Sequence, residues 1–415
     1  MSYALESHAP ESQDPDDLRI ASREVNGRGP WLKPGEQVPY GHVLHAAAQL
    51  RWSPAAVVSR LTALGYADIQ HAEASLPGTA DLPGTVDLPD TVELDDVPLI
   101  RDVSAQYSPS WLDVGKPVSL RQILESAGLA DRGPADVARR LTALGYLLGG
   151  AGRPLPESPH PGDTVLISTG HGRYGKWLDW GDEVSAFHVL VAAGELKCSP
   201  YAAATRLIAL GLRLPYTPEP VDELILKSSG EYGDHHGARW FYGTPPVGHI
   251  LAVAQETGRR PADIVARLTE LGYDRPAAPD HPEADDLIIL SEELNGRGPW
   301  LVKNTVVGLS MRHILRAALA TGRSPADIAE RLAALGHWLH ENANLPAVAD
   351  EADIRLLATV DRSYLDNVHL EHVLRSASLT GRSPADVASR LTALGHRLPD
   401  DVAYPEVRGS LAAAK

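Results

Sequence analysis

The sequence predicts an α+β protein of six tandem small modules, each a short β-hairpin or strand followed by an antiparallel helical hairpin. Three observations predict it. A block of 24 residues, His42–Gly65 in its first copy, recurs six times without an insertion. An aromatic-apolar pair precedes each copy: Trp31-Leu32, Trp111-Leu112, Trp177-Leu178, Trp240-Phe241, Trp300-Leu301 and Tyr364-Leu365. Before each pair lies a short apolar run of β-like composition: Leu18–Ala21, Pro98–Val103, Thr164–Ser168, Glu223–Lys227, Asp286–Leu290 and Ile354–Thr359. The modules are assigned to 16–69, 98–149, 163–215, 222–275, 285–340 and 353–399. The remainder is an acidic disordered tail at 1–15, a linker at 70–97 and a second tail at 400–415. Self-similarity at a fixed unit overrides a domain count taken from length.

Taken in order, the apolar runs read as strands from their length and composition. The aromatic residue, Trp31, Trp111, Trp177, Trp240, Trp300 or Tyr364, is the large side chain expected to close each module core. From it to the following His or Gln the distance varies from 8 to 13 residues, which marks an exposed loop. The first helix starts near His42, Gln122, His188, His249, His313 or His372, and in the fifth copy Ile314, Leu315, Ala317 and Ala318 line one side. A short turn such as Thr321-Gly322-Arg323 leads to the second helix. Its signals are strong. Ser53, Ser199, Ser324 and Ser383 stand at N-cap and proline follows at N1. Asp136, Asp263, Asp327 and Asp386 stand at N3, near the positive helix end. The stripe Ile328, Leu332, Leu335 lies on one face, and a glycine 11 residues after each proline ends the helix. The segment 70–97 repeats LPGTAD-LPGTVD-LPDTVE, a linker composition, so copy one is expected to be tethered and mobile relative to the rest.

Composition narrows the function. Of the net charge of −16, residues 1–17 hold −5 and residues 71–98 hold −7, so the repeated body is near neutral and has no basic footprint. The single cysteine, Cys198, excludes an intrachain disulfide and suits a reducing, cytoplasmic setting. Met1 to Asp17 lacks the basic start and apolar run of a signal peptide, and no apolar run is long enough to span a membrane. No nucleophile elbow, P-loop, dinucleotide fingerprint, zinc motif or cysteine pair is present, so neither an enzyme nor a cofactor is expected.

Arg60, Arg140, Arg206, Arg267, Arg331 and Arg390 recur six residues after each proline. They are candidate binders of phosphate or carboxylate. The structural alternative is favoured, because in four copies an Asp lies four residues earlier on the same helix. Copies one and three carry Ala56 and Ala202 there, so that pair is not the whole explanation. The recurring histidines come one per module, too few for zinc, and read as partly buried imidazoles at the helix start. His235-His236 reads as a solvated pair in a loop. The near-identical EVNGRGPWL (24–32) and ELNGRGPWL (293–301) place Arg28 and Arg297 at turn tips beside a tryptophan, and His171, Arg173, Tyr174 and Lys176 form a related loop. A hairpin turn with a core tryptophan is the preferred reading of these segments, with a binding tip as the alternative.

The SPADIAERLAALGH block, preceded by a helix and a Gly-Arg turn, resembles the first two helices of a helix-turn-helix domain. The whole module is similar to the winged helix-turn-helix-like repeats of large bacterial, chiefly actinobacterial, conflict and signalling proteins, where they adjoin Hsp90-like or caspase-like modules. The resemblance covers most of residues 16–400 and implies partner recognition or assembly; it carries over no catalytic residue. One departure matters. A DNA-reading third helix should follow the second, yet Pro215, Pro218 and Pro220 interrupt the segment after Gly211. The expected function is therefore a non-enzymatic interaction scaffold for protein partners. Multivalent DNA binding of helix-turn-helix type is the alternative, and a small-molecule ligand is not expected.

Overall fold

The computed structural model describes residues 14–70, 89–104, 110–150, 152–170, 176–227, 240–241, 243–275, 278–279, 281–302, 309–338, 344–358 and 368–398. Among them are seventeen α-helices. The chain divides into two compact units, Met1–Pro218 with modules one to three and Glu219–Lys415 with modules four to six.

Each module is a trio of helices. The 24-residue block forms the expected hairpin throughout. In unit one these helices are α2 (Tyr40–Leu50) and α3 (Pro54–Ala63), α4 (Leu120–Ala130) and α5 (Pro134–Ala143), and α7 (Ala186–Leu196) and α8 (Pro200–Ala209). In unit two they are α10 (Val247–Thr257) and α11 (Pro261–Glu270), α13 (Met311–Thr321) and α14 (Pro325–Ala334), and α16 (Leu370–Thr380) and α17 (Pro384–Ala393). Ser53, Ser199, Ser324 and Ser383 accept the amide three residues on, as N-caps do. The closing glycines, Gly65 to Gly395, hold φ between +84° and +92°, a conformation that favours glycine.

The strand expectation is overturned. The apolar runs lie in short helices: α1 (Pro15–Ala21), α6 (Asp163–Leu166), α9 (Asp222–Leu226), α12 (Asp286–Leu290) and α15 (Glu351–Leu357). In module two, a 3-10 turn at Leu94–Asp96 takes that place and the apolar run follows it as turns. The described residues contain no sheet and no β-hairpin, only isolated antiparallel bridges such as Ser22–Trp31, Ser168–Trp177 and Ser291–Trp300, with parallel bridges such as Val38–Ile69. The fold is helical, not α+β. A run of four to six apolar residues cannot distinguish strand from buried helix by periodicity. What decides is the acidic group in front. Asp14 and Asp350 cap α1 and α15, accepting the amides of Asp16 and Ala352. Asp96, Asp222 and Asp286 reach back to the amides of Glu93, Glu219 and Glu283 at 2.8–2.9 Å. Each capture ties down a helix-start donor.

Modules also share cores inside each unit. One cluster runs from Val43, Leu44 and Leu61 of module one to Leu99, Ile123 and Tyr146 of module two. A second joins Leu120 and Leu124 to module three. In unit two, Leu251 joins the core of module five and Met311 and Leu315 join that of module six. Module one is therefore packed onto module two, against the expectation of a mobile tether. The hairpin alone is too small to seal itself, so inside each unit its first helix is covered by the short helix of the next module.

Candidate functional site

The recurrent polar residues form a clasp inside each module. Each recurrent arginine, midway along the second helix, reaches the aspartate of its module's short helix and binds it through both Nε and Nη2. The distances are 2.5 and 2.6 Å for Arg60–Asp17, 2.8 and 2.7 Å for Arg206–Asp163, and 2.7 and 2.7 Å for Arg267–Asp222. They are 2.7 and 2.6 Å for Arg331–Asp286 and 2.9 and 2.5 Å for Arg390–Asp353. Arg140 holds Asp96 in the same way. All six carboxylates are buried. The same Nη2 of Arg140, Arg206 and Arg331 also donates to the carbonyls of Thr91, Ser158 and His281, five residues before the aspartate. Such a fork matches a carboxylate in two-point contact, which a lysine cannot do. The paired carboxylate raises the pKa of Arg60, Arg140, Arg267, Arg331 and Arg390 further still.

The partner is thus not the aspartate four residues earlier in the second helix. Asp136 binds Arg132, and Asp263 binds Arg260. This explains why copies with Ala56 and Ala202 keep the arginine. The missed residues are Asp17, Asp96, Asp163, Asp222, Asp286 and Asp353. An aspartate recurs at the head of every apolar run, but its separation from the arginine varies from 37 to 45 residues, and Asp96 falls inside the stretch read as linker.

The histidines tie the first helix to the short helix. Nε2 of His42, His188, His249 and His313 lies 2.6–2.9 Å from the carbonyls of Ile20, Leu166, Ile225 and Ile289, a geometry that suits donation by an Nε2–H tautomer. Gln122 donates to the Arg101 carbonyl instead. In module six, where His372 is half-buried, Ser376 donates to the Leu356 carbonyl. Burial pulls the pKa of His42, His249 and His313 down, so the rings are held neutral. Among the described residues no group of three His, Cys, Asp or Glu is arranged to hold a metal ion.

Trp240 and Trp300 are buried, while Trp31, Trp111 and Trp177 are half-buried; Tyr364 lies outside the described residues. Three of these rings sit at seams between modules. Trp111 packs on Gly41 and Trp300 on Gly248, so close that an added Cβ would come within 2.6 Å of the Trp111 side chain and 2.4 Å of the Trp300 indole. Trp177 lies under the Arg121 guanidinium, 4.2 Å from the ring centroid. Tyr40 donates to the Leu144 carbonyl across the first seam.

Arg28 and Arg297 are exposed on two loops of the same build. Ser22 donates to Asn26 Oδ1 and to the Arg28 carbonyl, and Ser291 does the same to Asn295 and Arg297. The Asn carbonyl in turn accepts the arginine amide at 2.8 Å in both loops. These are connections from helix to bridge, not hairpins between strands. Lys176 is exposed; His171, Arg173, Tyr174, His235 and His236 lie outside the described residues. A groove of about 400 Å³ beside α7 is lined by Val165, Leu178, Phe187, His188 and Val191, with Glu183 and Glu195 at its sides. No described helix is long and apolar enough to cross a membrane.

Comparison with known proteins gives one family. The wHTH-Hsp90_Na associated family matches the chain at residues 12–66, 92–146, 158–212, 217–273, 281–337 and 348–396. No curated protein and no solved structure matches. Each matched segment carries one aspartate–arginine clasp and one helical hairpin, and together the segments span well over half of the sequence. The chain belongs to the wHTH-Hsp90_Na associated family, as six consecutive copies of its repeat.

Proposed function

We propose that the chain is a non-enzymatic tandem-repeat scaffold that binds protein partners in a bacterial defence or signalling assembly, in the cytoplasm. One observation carries this reading: each of the six recurrent arginines is already bound to a buried aspartate of its own module. The row that would otherwise serve phosphates is engaged in holding each module together internally. What differs from copy to copy is the loop between the aromatic residue and the first helix, and variable loops on a rigid frame suit the recognition of different surfaces. The description of the family, Hsp90_Na associated, supports a protein partner of that type.

Arg28 and Arg297 are the contact points on this reading, as matched tips on two modules. Six modules on one chain would raise avidity through effective concentration. The test is capture of partners from the native host by the full chain, with and without nuclease. Retention of a protein partner after nuclease, and its loss with Arg28→Ala and Arg297→Ala together, is expected. Capture abolished by nuclease, with binding to bare DNA that weakens steeply as salt rises, would replace the scaffold by a nucleic-acid binder.

A further inference from the structure

The helix face that seals the seams inside each unit carries exposed leucines in module six. In modules one, two and five the first two inward positions at the start of the first hairpin helix are largely covered. Tyr40 and Leu44 are 0% exposed, Leu120 and Leu124 are 0% and 3%, and Met311 and Leu315 are 7% and 0%. Their counterparts in α16, Leu370 and Leu374, are 37% and 44% exposed. Glu371 and Arg375 lie exposed beside them. Two exposed leucines beside an exposed acid–base pair make a helix face suited to receive another helix.

We propose that this face pairs with the same face of a second copy of the chain, as a two-fold antiparallel contact between the two α16 helices. Two features select this occupant. The first is charge. With the two-fold axis at the level of Val373, Glu371 of each copy lies level with Arg375 of the other, so two opposite-charge pairs flank the contact. The second is spacing. In the same arrangement Leu374 of the second copy lies level with His372 and its Leu370 level with Ser376. The four leucines then alternate between the copies at roughly 3 Å intervals along the axis, given a rise of about 1.5 Å per residue. A head-to-tail chain of copies lacks a counterpart, because among the described residues module one exposes no large apolar side chain. An isologous pair covers both open faces at once and closes.

The contact is one helix face on each side, so the dimer is weak, with a buried area below about 1,200 Å² and an affinity in the micromolar range. Sedimentation velocity on the full chain from about 5 to about 500 μM tests it, a span that brackets such an affinity. A monomer–dimer equilibrium is expected. Leu374→Asp is expected to raise the dissociation constant by more than about tenfold, the effect of losing roughly 1.4 kcal/mol. Glu371→Arg and Arg375→Glu, which alter only exposed positions and leave the core intact, each weaken the dimer, and the two together restore it. Any of three results overturns the proposal: a monomer throughout, species larger than a dimer that grow with concentration, or a dimer indifferent to all of these substitutions. Failure of the paired charge reversal to restore the dimer overturns the two-fold register.

Discussion

The arginine–aspartate clasp shows how one pair can be worth little in water and much inside a module. An exposed pair contributes well under about 1 kcal/mol. Here the carboxylate is buried, so removing the guanidinium strands a charge. The strongest case is module four, where Arg267 is 5% exposed. Arg267→Ala is expected to destabilise module four by about 3–5 kcal/mol, measured by urea unfolding. Arg267→Met combined with Asp222→Leu should recover most of that loss, because the double change removes the stranded charge. If the single and double variants are equally unstable, packing and not charge explains the loss. A second residue-scale effect is acid sensitivity. His45 packs against Trp111, 5.3 Å between centroids, with its Nδ1 buried and without a hydrogen-bond partner. Burial, with His42 and Arg101 adding to it, pulls its pKa down to about 4. An unfolded histidine titrates near pH 6.5, so between the two values the unfolded chain binds the extra proton. The contribution of neutral His45 is fully present above about pH 6.5, falls as the pH drops toward about 4, and changes no further below that. The denaturation midpoint should therefore fall from pH 7 to pH 5 by less in His45→Phe than in the native sequence. An equal fall in both would assign the sensitivity to other groups.

At the scale of elements, a glycine on one module and a tryptophan on the next define the seam. Gly41 and Gly248 let Trp111 and Trp300 approach the preceding helix closely. Both glycines are helical and gain nothing locally, since glycine weakens a helix by up to about 1 kcal/mol relative to alanine. Their value is the close approach. Gly248→Val is expected to destabilise unit two by about 1–3 kcal/mol through overpacking at the seam, and to raise solvent exposure of Trp300 by fluorescence. A stabilised protein with unchanged fluorescence would show that the ring has room. The short helices illustrate the reverse relation between local signal and outcome. Val97, Leu99 and Ile100 have strand-like composition, yet the turn that Asp96 captures places them against the hairpin. The third helix of the trio precedes the hairpin, before the loop of variable length.

At the scale of the whole molecule, each unit is a run of modules in which a core crosses every seam. Folding of neighbours is therefore coupled, as in other linear repeat proteins. Cleavage within the stretch 71–88 tests this for unit one. The two products are expected to elute together on gel filtration, held by Tyr40, Trp111 and the shared apolar cluster. Separate elution of a folded first module would show that the seam does not hold without its covalent link.

The sequence by itself determined the number of repeats and the helical hairpin in each. Those features rest on signals that act within one turn of backbone: Ser-Pro starts, glycine ends and a stripe at helical spacing. It also showed Arg28 and Arg297 in matched segments. Only the tertiary structure decided that the apolar run is a helix, that each recurrent arginine grips an aspartate some forty residues upstream, and that the tryptophans of modules two, three and five meet the preceding module. These outcomes depend on contacts between residues far apart in the chain, across loops of unequal length. No local propensity or fixed spacing can encode such contacts, whereas burial of a carboxylate or an indole rewards them once the chain has closed.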